Sequence, residues 1–307
     1  LSESAAVEVW RGTAAAWECD GMGHLNVRFY VARATQGLAG AAAALGMPHA
    51  FAAHAAATLI VREHHIRFLR EARAGALQHM TASVVAMGET DALLQFVLTN
   101  STSGDTSATF LTKVVHASAR DGRPFPWPTR AREAAAALAA PVAANAGPRS
   151  VEAGFEASPP TPAAAAARGL TQAGLSVVTA EDCDVFGRLR TEMFMGRISA
   201  SIGHTVEPFR KAAKAALPEV RLGGAAMEYR LVYFDHPRAG DRIVVQAGLV
   251  GVDRKLARMR HWLLDPHTGA PWAVAENVSV NFDLDSRKAV PIPAEAVEAL
   301  QGSVVKG

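Results

Sequence analysis

Apolar residues recur at helical spacing in two long stretches of the chain. Val27, Tyr30, Val31, Ala34, Leu38 and Ala41 follow one face, and Phe194, Met195, Ile198 and Ile202 follow another. A period near 3.6 of this kind predicts an amphipathic helix. Asn26 suits an N-cap and Gly46 before Met47-Pro48 suits a stop, so the first helix is expected over 26–45. Gly203 is expected to end the second, over 191–202. Shorter helices are expected over 48–57 and 207–217.

β-branched and aromatic runs follow each helix. They predict strands opening at 66–68 and continuing at 80–85, 93–98 and 108–115. A second set is predicted at 226–234, 242–250, 257–264 and 272–283, with Asp265-Pro266-His267-Thr268-Gly269 as a turn. A long helix against a run of antiparallel strands is an α+β layer arrangement.

The two sets are copies. Glu18-Cys19-Asp20-Gly21-Met22-Gly23-His24-Leu25-Asn26 returns as Asp182-Cys183-Asp184-Val185-Phe186-Gly187-Arg188-Leu189-Arg190, an offset of 164 residues. Glu63 and the strand after it return at Glu228, and Pro126-Trp127-Pro128 returns as Pro291-Ile292-Pro293, both at an offset of 165. Three collinear matches imply two homologous units. Their bounds are read as 1–130 and 169–307, joined by an Ala/Pro-rich linker over 131–168, with a short helix possible over 130–138 where the first unit meets it. Residues 140–166 are expected to be exposed and weakly ordered.

Composition narrows the function classes. A net charge of +2 in 307 residues argues for neither a nucleic-acid partner nor a membrane surface. No run reaches the length of a membrane span, and residues 1–9 lack the basic start and apolar core of a leader, so a cytoplasmic location is expected. The two cysteines, Cys19 and Cys183, hold equivalent places and read as small buried thiols. No Gly-rich nucleotide loop and no Gly-x-Ser-x-Gly elbow occurs. His64 and His65 are adjacent and would point to opposite faces of a strand, so they make no metal pair. Neither a metal nor a cofactor is expected.

Asp20, Gly23, His24, Leu25, Asn26 and Tyr30 match the Asp-x-x-Gly/Gln-His-Val/Leu-Asn-Asn-x-x-Tyr pattern, with Val27 in place of its second Asn. This resembles the 4-hydroxybenzoyl-CoA thioesterase and acyl-acyl-carrier-protein thioesterase branch of the hot-dog fold, a long helix wrapped by a curved antiparallel sheet. The second copy keeps Asp184, Gly187 and Leu189 but has Arg188 and Arg190 where the first has His24 and Asn26. The resemblance implies two tandem hot-dog units forming internally the pseudo-dimer that single-unit members form by association, with room for homo-oligomers of the tandem. It implies hydrolysis of an acyl-CoA or acyl-carrier-protein thioester.

Thioester hydrolysis needs a base or nucleophile and a stabiliser for the developing oxyanion. Asp20, with Asp184 in the second copy, can supply the first. The backbone N–H of Val27, and of Thr191 in the second copy, stands where the family places its oxyanion donor. His24 can serve as acid/base or only brace the turn; Asn26 can hold the thioester carbonyl or only cap the helix. Glu63 and Glu228 read as salt-bridge partners or as second acids. Arg28, Arg33, Arg62, Arg67, Arg70 and Arg73 would suit the phosphates of coenzyme A or a solvated face. A hot-dog hydratase is the nearest alternative, but no Gly-Asp-x-Asn-Pro occurs. A non-catalytic acyl-thioester-binding protein is the other.

Overall fold

The computed structural model describes residues 6–151 and 159–306. The chain forms two compact units, Leu1–Pro148 with Asp182–Glu192, and Arg149–Glu181 with Met193–Gly307. The first holds β1 (Val7–Thr13), α1 (Val27–Ala44), β2 (Ala57–Phe68), β3 (Leu77–Met87), β4 (Asp91–Asn100), β5 (Thr106–Ser118) and α2 (Thr129–Ala137). The second holds α3 (Pro162–Arg168), β6 (Thr171–Val177), most of α4 (Thr191–Ala216), β7 (Leu222–Tyr233), β8 (Arg242–Val252), β9 (Ala257–Leu264), β10 (Pro271–Asp283) and α5 (Ala294–Gln301).

Strand order is β1-β3-β4-β5-β2 in the first unit and β6-β8-β9-β10-β7 in the second, which is the same order, and every neighbouring pair within a unit is antiparallel. The copies agree down to single contacts. Tyr30 and Phe68 meet edge-to-face at 5.1 Å, and their counterparts Phe194 and Tyr233 meet at the same 5.1 Å. Trp127 N–H donates to Glu89 O at 3.1 Å, and Ile292 N–H to Arg254 O at 2.7 Å, again 165 residues on. These are α+β units of hot-dog type.

Helix α1 buries Tyr30, Val31, Ala34, Leu38 and Ala41 of the predicted stripe, with Ala42 beside them, and leaves Val27 half-buried. It lies close on β1: a Cβ at Gly40 would stand 2.5 Å from Val9 O, so glycine sets the approach distance.

Several expectations fail in informative ways. Helix α4 runs through Gly203 to Ala216, absorbing the expected helix over 207–217. An interior glycine costs only about 1 kcal/mol, and a helix with buried positions on both sides absorbs that. Residues 48–55 form turns with no helix. The edge strands β1 and β6 carry glycine and mixed polarity, and their pattern alone did not announce them.

The Ala/Pro-rich stretch is not the bare linker its composition suggests. Leu138 O and Ala140 N–H bond to Val84, and Ala143 N–H donates to Gln95 Oε1 at 2.7 Å. Ala146 and Ala165 are fully buried. Alanine has no side-chain entropy to lose, so it fills narrow gaps well even where its hydrophobicity is low. Residues 152–158 of that stretch lie outside the described residues. Among the described residues no helix is long and apolar enough to cross a membrane.

Each unit buries a histidine against a polar side chain, with Thr112 and Asn277 as equivalent partners but with the histidines on different strands. His64 Nδ1 meets Thr112 Oγ1, its register partner, at 2.9 Å. At the matching positions Tyr229 stands opposite Asn277, whose Oδ1 meets His261 Nε2 at 2.9 Å. Burial pushes His64 down to about 3 and His261 to about 4, from an ordinary 6.5. Both imidazoles are therefore neutral in the native protein. Below pH 6.5 the unfolded chain takes up protons that these native histidines refuse. Stability is then full above that pH and falls as pH drops toward 4, by up to about 1.4 kcal/mol per pH unit for each histidine. Calorimetric melts across pH 7 to 4 should show the fall, and a His64→Gln/His261→Gln double variant should flatten it; parallel profiles would refute the assignment.

Candidate active site

The turn before α1 is built around one carboxylate. Asp20 N–H donates to His24 O at 2.7 Å, and Gly23 N–H donates to Asp20 O at 2.9 Å. Asp20 Oδ1 accepts from Met22 N–H at 2.9 Å and His24 N–H at 3.2 Å. Gly23 has φ +78°, a left-handed conformation that glycine alone adopts without strain. Asn26 N–H then donates to Glu18 O, and the Asn26 side chain accepts from Arg28 N–H at 2.9 Å, capping α1.

The second copy repeats this turn, apart from the side-chain cap, which Arg190 cannot supply. Asp184 N–H donates to Arg188 O at 2.7 Å, and Asp184 Oδ1 accepts from Phe186 N–H at 2.8 Å and Arg188 N–H at 2.9 Å. Gly187 has φ +76°. What differs is the second carboxylate oxygen. Arg188 Nε lies 3.5 Å from Asp184 Oδ2, with its guanidinium over the Phe186 ring at 4.7 Å. In the first copy His24 turns elsewhere, its Nε2 lying 2.8 Å from Glu71 Oε2. Among the described residues no group hydrogen-bonds Asp20 Oδ2.

The backbone N–H of Val27 has no hydrogen-bond partner among the described residues, as expected at the first position of a helix. The same holds for Thr191, which opens α4. That N-terminus is furnished differently. Arg190 reaches Glu192 Oε1 at 3.1 Å, Thr35 of α1 donates to Glu192 Oε2 at 3.0 Å, and Thr35 meets the Thr191 hydroxyl at 2.9 Å. These bonds hold the Asp182–Glu192 segment in the first compact unit.

A shell of buried groups fixes the first turn from behind. Glu18 and Arg33 form a buried ion pair; Ala15 N–H donates to Glu18 Oε2 at 2.8 Å, and Arg33 Nη2 to Thr13 O at 3.3 Å. The Arg33 guanidinium stacks over Trp10 at 4.8 Å. The Tyr30 hydroxyl accepts from Ala72 N–H at 3.1 Å, and burial pushes it up to about 12.

Glu71 is the site residue that sequence reasoning passed over. It lies within the repeated segment that follows Glu63, just past the end of β2, and its tie to His24 spans α1, the turns after it and β2, which no local pattern connects. The arginine set disperses: Arg33 is buried on Glu18, Arg73 lies 3.3 Å from Glu71, and Arg28 stacks on Phe29. Glu228 accepts from Arg149 N–H at 2.9 Å and Ser150 N–H at 2.8 Å, so it anchors main chain. Glu63 lies at a register shift on β2, beside Lys113 of β5. Cys19 and Cys183 are not joined in a disulfide, and both are half-buried rather than buried. Among the described residues no cluster of His, Cys, Asp and Glu converges as a metal site would.

A family model for the thioesterase-like superfamily matches residues 14–138 and, a second time, 178–300. The chain belongs to the thioesterase-like superfamily. Each match spans one Asp turn, its helix and the strands that follow. No curated protein matches the chain. Among solved structures it is similar to a putative oleoyl thioesterase from Lactobacillus plantarum, with 13% identity and a TM-score of 0.66, covering 91% of this chain and 97% of that one. It is also similar to a 12:0-ACP thioesterase from Umbellularia californica (10% identity, TM-score 0.65, 91% and 95% covered). An acyl-ACP thioesterase from Bacteroides thetaiotaomicron matches likewise (9%, 0.66, 90% and 98%). At these identities the likeness is one of fold.

Within this thioesterase-like chain, the His24–Glu71 pair separates two roles for His24. If the pair acts in proton transfer, His24→Gln lowers kcat by about 10²-fold and leaves the melting temperature nearly unchanged. If the pair only braces the loop at Ala72 against the turn, His24→Gln and Glu71→Gln both lower the melting temperature and leave kcat within a few-fold. Steady-state kinetics beside thermal melts on the two variants decide. The pairing with Glu71 and the presence of Arg188 at the equivalent position favour bracing.

Proposed function

We propose that this protein hydrolyses acyl thioesters of coenzyme A or of an acyl carrier protein, with Asp20 as general base or nucleophile. The observation that carries the reading is the asymmetry of one carboxylate. Asp20 Oδ1 is committed to its own turn, whereas Oδ2 is unbonded among the described residues, at the N-terminus of a helix whose first N–H is also unbonded.

In the base route Oδ2 takes a proton from water as the water oxygen attacks the thioester carbonyl. The Val27 N–H, helped by the helix dipole, holds the oxyanion. When the carbonyl re-forms, the carbon–sulfur bond breaks and Asp20 returns the proton to the departing sulfur. In the nucleophile route Oδ2 attacks the carbonyl carbon and the carbon–sulfur bond breaks, expelling the thiolate and leaving a mixed anhydride. Water then opens the anhydride to the free acid, regenerating the Asp20 carboxylate, and the proton released protonates the thiolate. Asn26 caps the helix through Oδ1, which accepts from Arg28 N–H. Asp184 is the weaker candidate because Arg188 sits on its second oxygen.

A panel of short, long, branched and aromatic acyl-CoAs, with the same chains on an acyl carrier protein, tests the reading by release of free thiol. Turnover of a subset above the uncatalysed rate is expected. No turnover of any member, with acyl thioesters bound intact, would favour a non-catalytic binding protein; water addition to enoyl-CoA in place of hydrolysis would favour the hydratase.

A further inference from the structure

Gln78, on β3, has a fully buried side chain, and among the described residues neither its Nε2 nor its Oε1 has a hydrogen-bond partner. A buried amide left without partners is costly and rare enough to need a reason. Its placement is set by strand alternation. Met80, two residues on, faces α1, since its Sδ lies 2.7 Å from where a Gly37 Cβ would be. The β3–β4 register is regular over this stretch, and burial alternates from exposed Leu77 through Gln78 to buried Met80. Gln78 therefore faces the helix as well.

It does so at the end of the sheet that carries the Asp20 turn. Gln78 pairs with Gly12, Ala14 N–H donates to Ala76 O, Gly75 N–H to Ala14 O, and Leu25 N–H to Ala72 O.

The second copy is an internal control. Ile243 occupies the same register position, pairing with Ser176 as Gln78 pairs with Gly12, and it is also fully buried. The fold thus accepts a branched hydrocarbon there. The first copy keeps an amide that the fold does not need, beneath the helix whose N-terminus carries the candidate base.

We infer that Gln78 is a specificity residue that hydrogen-bonds a hydroxyl or oxo group on the acyl chain, so that the preferred substrate is a hydroxyacyl or oxoacyl thioester. The inference rests on the thioester-hydrolase reading. An amide supplies both a donor and an acceptor, which suits either oxygen function. A site built to bond a substrate oxygen discriminates strongly against the chain lacking it, because its own groups are then left unpaired.

The test uses the full chain and acyl-CoAs of one length, unsubstituted or bearing a single hydroxyl or oxo group at successive carbons. Wild type should prefer one substituted chain by about tenfold or more in kcat/KM. In Gln78→Ile, or in Gln78→Met should Ile not fold, that preference should fall to within about threefold, with a melting temperature equal to or above wild type. Equal rates on plain and substituted chains by wild type, or a preference that survives the substitution, would overturn the inference and leave the hydrolase reading standing. Lower melting temperatures in both variants would also overturn it, since Gln78 would then be structural. No turnover of any chain by wild type would instead remove the hydrolase reading on which the inference rests.

Discussion

Asp20→Asn should lower thioester turnover by about 10²- to 10⁴-fold with the fold retained. The amide oxygen can still accept the Met22 and His24 N–H bonds that Asp20 Oδ1 takes, so the turn survives. What the amide lacks is a basic oxygen, and neither route of hydrolysis proceeds without one. Asp184→Asn gives the control, because that carboxylate holds an identical turn with Arg188 on its second oxygen. Its turnover should stay within a few-fold of wild type. Circular dichroism and melts establish that both variants fold, and thiol release reads the difference. Full activity in Asp20→Asn would falsify the assignment, and equal losses from both variants would mean two working sites.

The second large effect concerns stability. Glu18 and Arg33 are both buried and face each other, and Glu18 also takes the Ala15 N–H. Removing one partner strands the other charge away from water, which costs about 3–5 kcal/mol. Arg33→Met and Glu18→Gln should each be destabilised on that scale in urea unfolding. The pair braces the residues just before Asp20, so activity should fall with stability at temperatures near the melt. A double Glu18→Leu/Arg33→Met variant should recover part of the loss, because it leaves no orphan charge. A double variant as unstable as the sum of the two singles would show that the pair has no coupling.

Much of the core was legible along the chain. The stripe in α1, the strand runs over 66–118 and 226–283, and the Asp turns follow from local periodicity or from the repeat, whereas the first nine residues of β2, from Ala57, did not. The repeat was the stronger signal, because two copies under one fold constrain each other where one strand alone is ambiguous. The edge strands β1 and β6, the length of α4 and the packing of the Ala/Pro-rich stretch were not legible. The edge strands and the Ala/Pro-rich stretch are held by partners far along the chain: β1 by β3, β6 by β8, Ala143 by Gln95, Arg149 and Ser150 by Glu228.

By itself the sequence determined that there are two units, that each opens its helix from an Asp-x-x-Gly turn, and that the second copy has arginine where the first has His24 and Asn26. These are statements about order and spacing, and periodicity carries them. Only the tertiary structure decided which oxygen of each aspartate is engaged, that His24 turns to Glu71 while Arg188 turns to Asp184, and that Gln78 is buried beneath α1 where its counterpart is Ile243. The His24–Glu71 contact joins residues 47 positions apart, and the burial of Gln78 needs helix and sheet together; the Arg188–Asp184 contact is local, but which side chain takes the second oxygen is settled by the packing around the turn. Burial and hydrogen-bond competition settle such meetings only once the whole sheet has closed under its helix.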